Sequence, residues 1–149
     1  MYCDTAILVK LLTPEPDSGV FEQRLHNEPI SSSELAFGEV AAALFAKERH
    51  GLIRREERVA AWQQFETWVA DQTIRLDPLN FNVLRRLPLA LSRCHPAIPL
   101  RTLDAIHLIT CELGADFPLA VTDKRLRAAA QHLKIPLFPD HLPTDSLSP

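Results

Sequence analysis

Apolar positions in this chain fall into short runs alternating with stretches of helical periodicity, each bounded by proline, glycine or capping residues. Residues 1–4 read as a short apolar strand, and Thr5–Leu12 as a helix stopped by Thr13-Pro14-Glu15-Pro16. A short amphipathic helix is expected over Asp17–Leu25, a second strand over Pro29–Ser32, and a long helix over Glu34–Arg49 followed by Gly51 in the left-handed cap position. Arg54–Ala70 carries Val59, Trp62, Phe65 and Val69 on one stripe, which folds it back on its predecessor as a helical hairpin. Thr73–Leu76 reads as a third strand. Leu79–Ser92 is helical in pattern, but Pro88 should kink or split it near Arg86 and Leu87. Thr102–Leu113 predicts a helix with Ile106, Ile109 and Leu113 inward, followed by a strand over Pro118–Val121, a helix over Lys124–Leu133 and a last strand over Ile135–Phe138. The tail 140–149 is expected to be frayed, leaving residues 1–139 as one domain.

Strands separated by helices imply a parallel sheet covered on both faces, because parallel neighbours need crossover connections. The expected fold class is α/β, a three-layer α/β/α arrangement with a central, mainly parallel sheet. Ligands in such folds bind outside the carboxyl ends of the strands, and candidate chemistry belongs there.

Composition narrows the function classes. At 149 residues, 46% hydrophobic and 23% charged, the chain has neither a disordered nor a membrane-spanning composition. The opening Met1-Tyr2-Cys3-Asp4 lacks a secretory pattern, so a cytoplasmic location is expected. Cys3, Cys94 and Cys111 show no ligand or disulfide spacing and are expected to be reduced and structural. The formal charge of -3 argues mildly against binding nucleic acid by bulk charge.

Four carboxylates alter that picture. Asp4 follows the first strand, Asp123 follows the strand at Pro118–Val121, and Asp104 lies in the first turn of its helix, so all three belong at one end of the sheet. Each alone has an ordinary explanation as a helix cap or first-turn acid. Glu39 lies in a helix that is apolar nearly all round, which predicts burial and therefore protonation, a basic partner (Arg49, Arg101 or Lys10) or a cation. Glu34 is a second choice for the same role. Converging carboxylates repel one another unless a divalent ion is held, and an all-oxygen set suits Mg²⁺ or Mn²⁺ rather than zinc. Two such ions, adding four charges, would turn -3 into +1, and between Pro78 and Pro139 basic residues outnumber acidic ones by eight to four. Arg85, Arg86, Arg93, Arg101, Lys124 and Arg125 are candidate contacts to a phosphate backbone, each equally explicable as solvated surface. Ser33 and Thr122 could orient a ligand by hydrogen bonding, although the Ser31-Ser32-Ser33 run is most simply a strand end and helix cap. His107 reads as a packing residue. Trp62 and Trp68 are candidates for a protein partner.

Four stretches, in order and spacing, resemble the PIN-domain ribonucleases, and most of all the VapC-like toxins of prokaryotic toxin–antitoxin pairs. They are Tyr2–Leu11 with Pro14-Glu15-Pro16, Ser32-Ser33-Glu34-Leu35 leading to Glu39-Val40, Leu100–Leu108, and Val121-Thr122-Asp123-Lys124-Arg125-Leu126. The resemblance extends to Phe138 and implies a Mg²⁺- or Mn²⁺-dependent endoribonuclease with the acidic quartet Asp4, Glu39, Asp104 and Asp123. It also implies homodimerisation and a small DNA-binding antitoxin (VapB-like) as partner. One departure is Ala6, where family members often carry serine two residues after the first aspartate. Two rival functions start from the same residues: a metal-dependent phosphatase, disfavoured because no second aspartate follows Asp4 closely, and a catalytically silent RNA- or protein-binding module, disfavoured by the intact quartet.

Overall fold

The computed structural model describes residues 1–142. Five strands form one parallel sheet in the order β3-β2-β1-β4-β5: β1 (Tyr2–Cys3), β2 (Ile30–Ser33), β3 (Ile74–Asp77), β4 (Leu119–Ala120) and β5 (Leu137–Phe138). The chain moves outward from β1 through β2 to β3, then crosses to β4 and β5 on the other side. The direction of winding therefore reverses between β1 and β4, the place where open α/β sheets leave a crevice at their carboxyl ends.

Successive residues along the central strands point to opposite faces, and the two cores follow from that alternation. Met1, Cys3 and Ala120 join one core with Ile7, Leu8, Phe21, Val40, Leu44 and Phe65, contributed by α1 (Thr5–Leu12), α2 (Ser18–Leu25), α3 (Ala36–Arg49) and α4 (Arg55–Ala70). Tyr2, Leu119 and Val121 join the other with Cys94, Leu108, Cys111, Leu126 and Ala129, from α6 (Leu87–Cys94), α7 (Thr102–Gly114) and α8 (Lys124–His132). The short α5 (Phe81–Leu84) packs with α6 and α7 around Val83, Ala90, Ile106 and Ile109. The three-layer α/β/α fold expected from the sequence is the one observed.

Local signals account for most boundaries. Gly51 adopts φ 69° as the chain leaves α3, and its N–H bonds back to Glu48 O at 2.9 Å. The proline at position 88 lies in the first turn of α6, where its missing N–H costs no helical bond, and the helical stretch splits at Arg85–Arg86. The long helix begins at Ala36 rather than Glu34, because Ser33 Oγ accepts from Leu35 N and Glu34 instead caps a neighbouring loop through Leu79 N at 2.9 Å.

Two packing expectations are corrected. α3 is not buried all round: Phe37 and Phe45 are 40% and 52% exposed on the side facing Trp62 and Arg58 of α4, and Ala42, Ala43 and Ala46 border a groove rather than another layer. The helix enclosed on most sides is α7, buried continuously from Ala105 to Cys111. Val59 and Leu113, expected inward, are exposed, because each lies at the margin of its helix's apolar stripe. Trp62 and Trp68 are half-buried against the first core, with Trp62 meeting Phe37 and Phe65, so part of each is used in packing. The three cysteines are free and buried. No helix among the described residues is long and apolar enough to cross a membrane. Of the tail expected to fray, residues 143–149 lie outside the described residues.

Candidate active site

A cleft of about 660 Å³ opens at the carboxyl edge of the sheet and is lined by Asp4, Glu39, Asp104 and Asp123 together with Thr5, Ala6, Lys10, Lys47, His107 and Thr122. The four carboxylates come from positions 4, 39, 104 and 123 because each sits at or near the start of a helix facing that edge. Asp4 terminates β1 and caps α1, its Oδ1 accepting from Ile7 N at 3.1 Å. Asp123 does the same for α8, its Oδ1 accepting from Leu126 N at 2.8 Å. The capping role is thus real for both, yet each cap uses one oxygen, Oδ1, and both residues line the cleft. Asp104 stands in the first turn of α7, as its position after Thr102 implied.

Electrostatics separates these acids. Asp4 is buried, and its burial pushes the carboxyl up to about 6, reinforced by Glu39 and opposed by His107 and by the N–H groups of Ile7 and Ala6. Burial also raises the half-buried Asp104 carboxyl, with the charge of Asp123 adding to the effect. Among the described residues no lysine or arginine forms an ion pair with Asp4, Asp104 or Asp123. Glu39 differs. Burial would raise it, but hydrogen bonds from His107 Nε2 at 2.9 Å and Thr5 Oγ1 at 2.5 Å hold its carboxyl below the usual range.

Glu39 is therefore half-buried with a histidine and a threonine as partners, and the expected basic partners Arg49, Arg101 and Lys10 are not used. His107 is the residue that sequence reasoning undervalued. The signal was available in the lone carboxylate of α3, which demanded a partner, but a histidine 68 positions away gives no local pattern. Lys10 and Lys47, which were not among the backbone-contact candidates, line the cleft; both bond to Glu15 Oε atoms at 2.6 Å, and Lys10 also to Asp17 at 2.6 Å.

The remaining candidates lie elsewhere. Glu34 is outside the cleft and caps the loop at Leu79; Ser33 caps the approach to α3. Thr122 does line the cleft. None of Arg85, Arg86, Arg93, Arg101, Lys124 and Arg125 lines it, although Arg101 and Arg125 are near enough to Asp104 to lower its carboxyl somewhat. Arg85 bonds to Asn82, and Arg93 pairs with Glu112 at 3.2 Å. Ala6 is exposed in the cleft wall.

The donor set fits a hard divalent cation: carboxylate oxygens in excess, Asp4 buried without an ion-pair partner, and Asp4 and Asp123 each using a single oxygen, Oδ1, in their helix caps. Among the described residues no three His, Cys, Asp or Glu side chains are drawn together tightly enough to ligate one ion directly, so a shared ion would be reached by side-chain rotation or through water.

Comparison with known proteins bears on the family and the fold. No curated protein matches the chain. The fold is similar to that in a crystal structure of FitAcB from Neisseria gonorrhoeae, with a TM-score of 0.68 and 17% identity over 95% of this chain and 99% of that one. The PIN domain family model matches residues 1–132, which span all four cleft carboxylates, and the chain accordingly belongs to the PIN domain family, a family of nucleases.

Proposed function

We propose that this protein is a Mg²⁺- or Mn²⁺-dependent endoribonuclease and the toxin of a toxin–antitoxin pair. The observation that carries the reading is the cleft itself: four carboxylates at the winding reversal of a PIN-family sheet, three without a cationic partner and one of them, Asp4, pushed up to about 6 by burial. Such an arrangement is unfavourable for an apo protein and favourable once a divalent ion neutralises it.

Asp4, Asp104, Asp123 and Glu39 would hold the ion, directly or through water. When bound it supplies positive charge opposite the scissile phosphate and an acidified water for hydrolysis. The chain's own contribution is positional. The caps of α1 and α8 fix Asp4 and Asp123 on rigid helix starts, Thr5 and His107 fix Glu39, and Thr122 is placed to steady a neighbouring ligand. No side chain needs to act as general base. Lys10 and Lys47 border the acids on the α1–α3 side, where a phosphodiester backbone would enter, with Arg101 and Arg125 on the α7–α8 side.

A second groove of about 920 Å³, lined by Leu12, Pro14, Leu52, Ile53, Ala60 and Ala61, shares Glu15 and Lys47 with the acidic cleft. It offers an apolar track for a helix of a small antitoxin leading toward the site. Phe81, Leu89 and Leu103 of α5, α6 and α7 are exposed apolar side chains that homodimerisation would cover.

RNA cleavage by the purified protein, with and without EDTA, tests the activity. Cleavage should require Mg²⁺ or Mn²⁺ and vanish in Asp104→Asn; undiminished cleavage in that variant would overturn the assignment. Co-expression with the product of a neighbouring small gene encoding a DNA-binding protein should give a complex that stays intact at micromolar concentration. Separate elution would remove the toxin reading while leaving the nuclease.

A further inference from the structure

His107 is 4% exposed in the most enclosed helix of the fold, and both of its ring nitrogens are engaged. Nδ1 lies 2.8 Å from the hydroxyl of Tyr2, and Nε2 lies 2.9 Å from Glu39 Oε2. Thr5 Oγ1 donates to the same Glu39 oxygen and is itself 3.5 Å from Nε2. The four residues come from β1, α1, α3 and α7, so the network joins both helical layers through the central strand.

The donor and acceptor roles follow from what each partner can offer. A carboxylate oxygen only accepts, so Nε2 must carry the hydrogen that it shares with Glu39. Nδ1 then accepts from the Tyr2 hydroxyl at 2.8 Å, a hydroxyl that the Ser32 and Thr110 side chains also approach. Both donations to Glu39 fall on Oε2, and Oε1 keeps no protein partner there. Full burial of Tyr2 makes an unpaired hydroxyl costly, so the relay is held from behind as well as at its tip.

We propose that His107 is a positioning residue for Glu39, with Tyr2 as its orienting partner: the Tyr2 hydroxyl, donating to Nδ1, holds the ring in the Nε2–H tautomer that Glu39 requires, which anchors Oε2 and leaves Oε1 as the oxygen offered to the cleft. The inference rests on the reading of Glu39 as a metal ligand. It assigns functions to two residues outside the acidic quartet. Histidine and carboxylate are arranged here in the order opposite to the familiar metal-site relay, in which a carboxylate orients a histidine ligand.

The test combines ring-nitrogen NMR of the metal-free protein with Mn²⁺ titration of Tyr2→Phe, His107→Gln and His107→Ala. In the parent, His107 should show Nε2 protonated and Nδ1 unprotonated; in Tyr2→Phe, which keeps the buried ring and the fold, that preference should weaken. Mn²⁺ affinity should fall about 10-fold in Tyr2→Phe and toward 100-fold in His107→Ala, the span seen when partners of metal ligands are removed. His107→Gln, whose amide can still donate, should recover much of the loss. Tyr2→Phe should add little in the His107→Ala background, because the two act in series. A purely structural role would lower melting temperature without the tautomer change, the glutamine rescue or the non-additivity. An Nδ1–H ring in the parent, or unchanged Mn²⁺ affinity in both Tyr2→Phe and His107→Ala, would overturn the inference and leave the proposed function standing; a parent that binds no Mn²⁺ would overturn both.

Discussion

On the α1–α3 rim of the cleft, Glu15 sits between two ammonium groups, Lys10 and Lys47, each 2.6 Å away, and its carboxyl is held below the ordinary range despite the opposing effect of burial. At the sheet edge of the same cleft, Asp4 and Asp104 have no such partner, and burial drives both carboxyls upward. The two regions share solvent and neighbouring helices and differ in the supply of cations. Where acids serve to tie α1, the following loop and α3 together, the sequence provides lysines. Where they converge at the winding reversal, it provides no ion-pair partner for Asp4 or Asp104, and burial with the neighbouring acid charges outweighs His107, Arg101 and Arg125. Under the proposed function, that contrast is the difference between a cation site and an ordinary ion-pair network.

The largest effect expected from breaking the contrast is on catalysis. Ala6→Lys would place an ammonium group in the wall beside Asp4 and convert the sheet edge into a copy of the rim. RNA cleavage should fall by about 10²- to 10³-fold, as when an electrostatic stabiliser of a transition state is lost, while apo stability holds or rises. Kinetics and melting of the same preparation measure both.

Next comes the dependence on pH. Asp4 has a folded carboxyl near 6 against an ordinary value of 3.8, so its ionisation is less favourable in the folded chain. Its contribution to stability is therefore intact below about pH 4 and lost as pH rises through 6, a change of up to about 3 kcal/mol. Asp4→Asn, which can still cap α1, should gain on the metal-free parent across that window, as read by urea unfolding at pH 4 and pH 7. A constant gap would show that Asp4 is not the strained acid described here.

Glu15→Gln should act with the opposite sign and the smallest size. Its folded carboxyl is lowered, so its stabilisation is present above the unfolded value and lost as pH falls through the folded one. With about a third of the side chain exposed, the loss at neutral pH should be about 1 kcal/mol, fading in acid.

Much of the arrangement was legible in the residues because it depends on local signals. Strand–helix alternation determined the three layers, Pro88 split its helix, and aspartates in helix starts located three of the four cleft acids at one edge. What escaped is what depends on distant partners. The apolar character of α3 suggested a buried helix, yet an alanine-rich face can equally border a groove, and only packing tells the two apart. His107 looked like core filling because nothing within one helical turn reveals a carboxylate 68 positions earlier. Arginines near α5 and α6 looked suited to a phosphate backbone by number, whereas the cations in the cleft are Lys10 and Lys47, brought there by the end of α1 and the last turns of α3.

The claim that these carboxylates form a cation site is tested most directly by thermal melts of the parent and Asp104→Asn, each in EDTA and in saturating Mn²⁺. The account predicts that Mn²⁺ raises the parent's Tm through preferential binding to the folded state, that Asp104→Asn in EDTA melts at or above the parent in EDTA, and that the variant loses most of the Mn²⁺ increment. A parent Tm indifferent to Mn²⁺, or an Asp104→Asn variant less stable than the parent in EDTA, would contradict it.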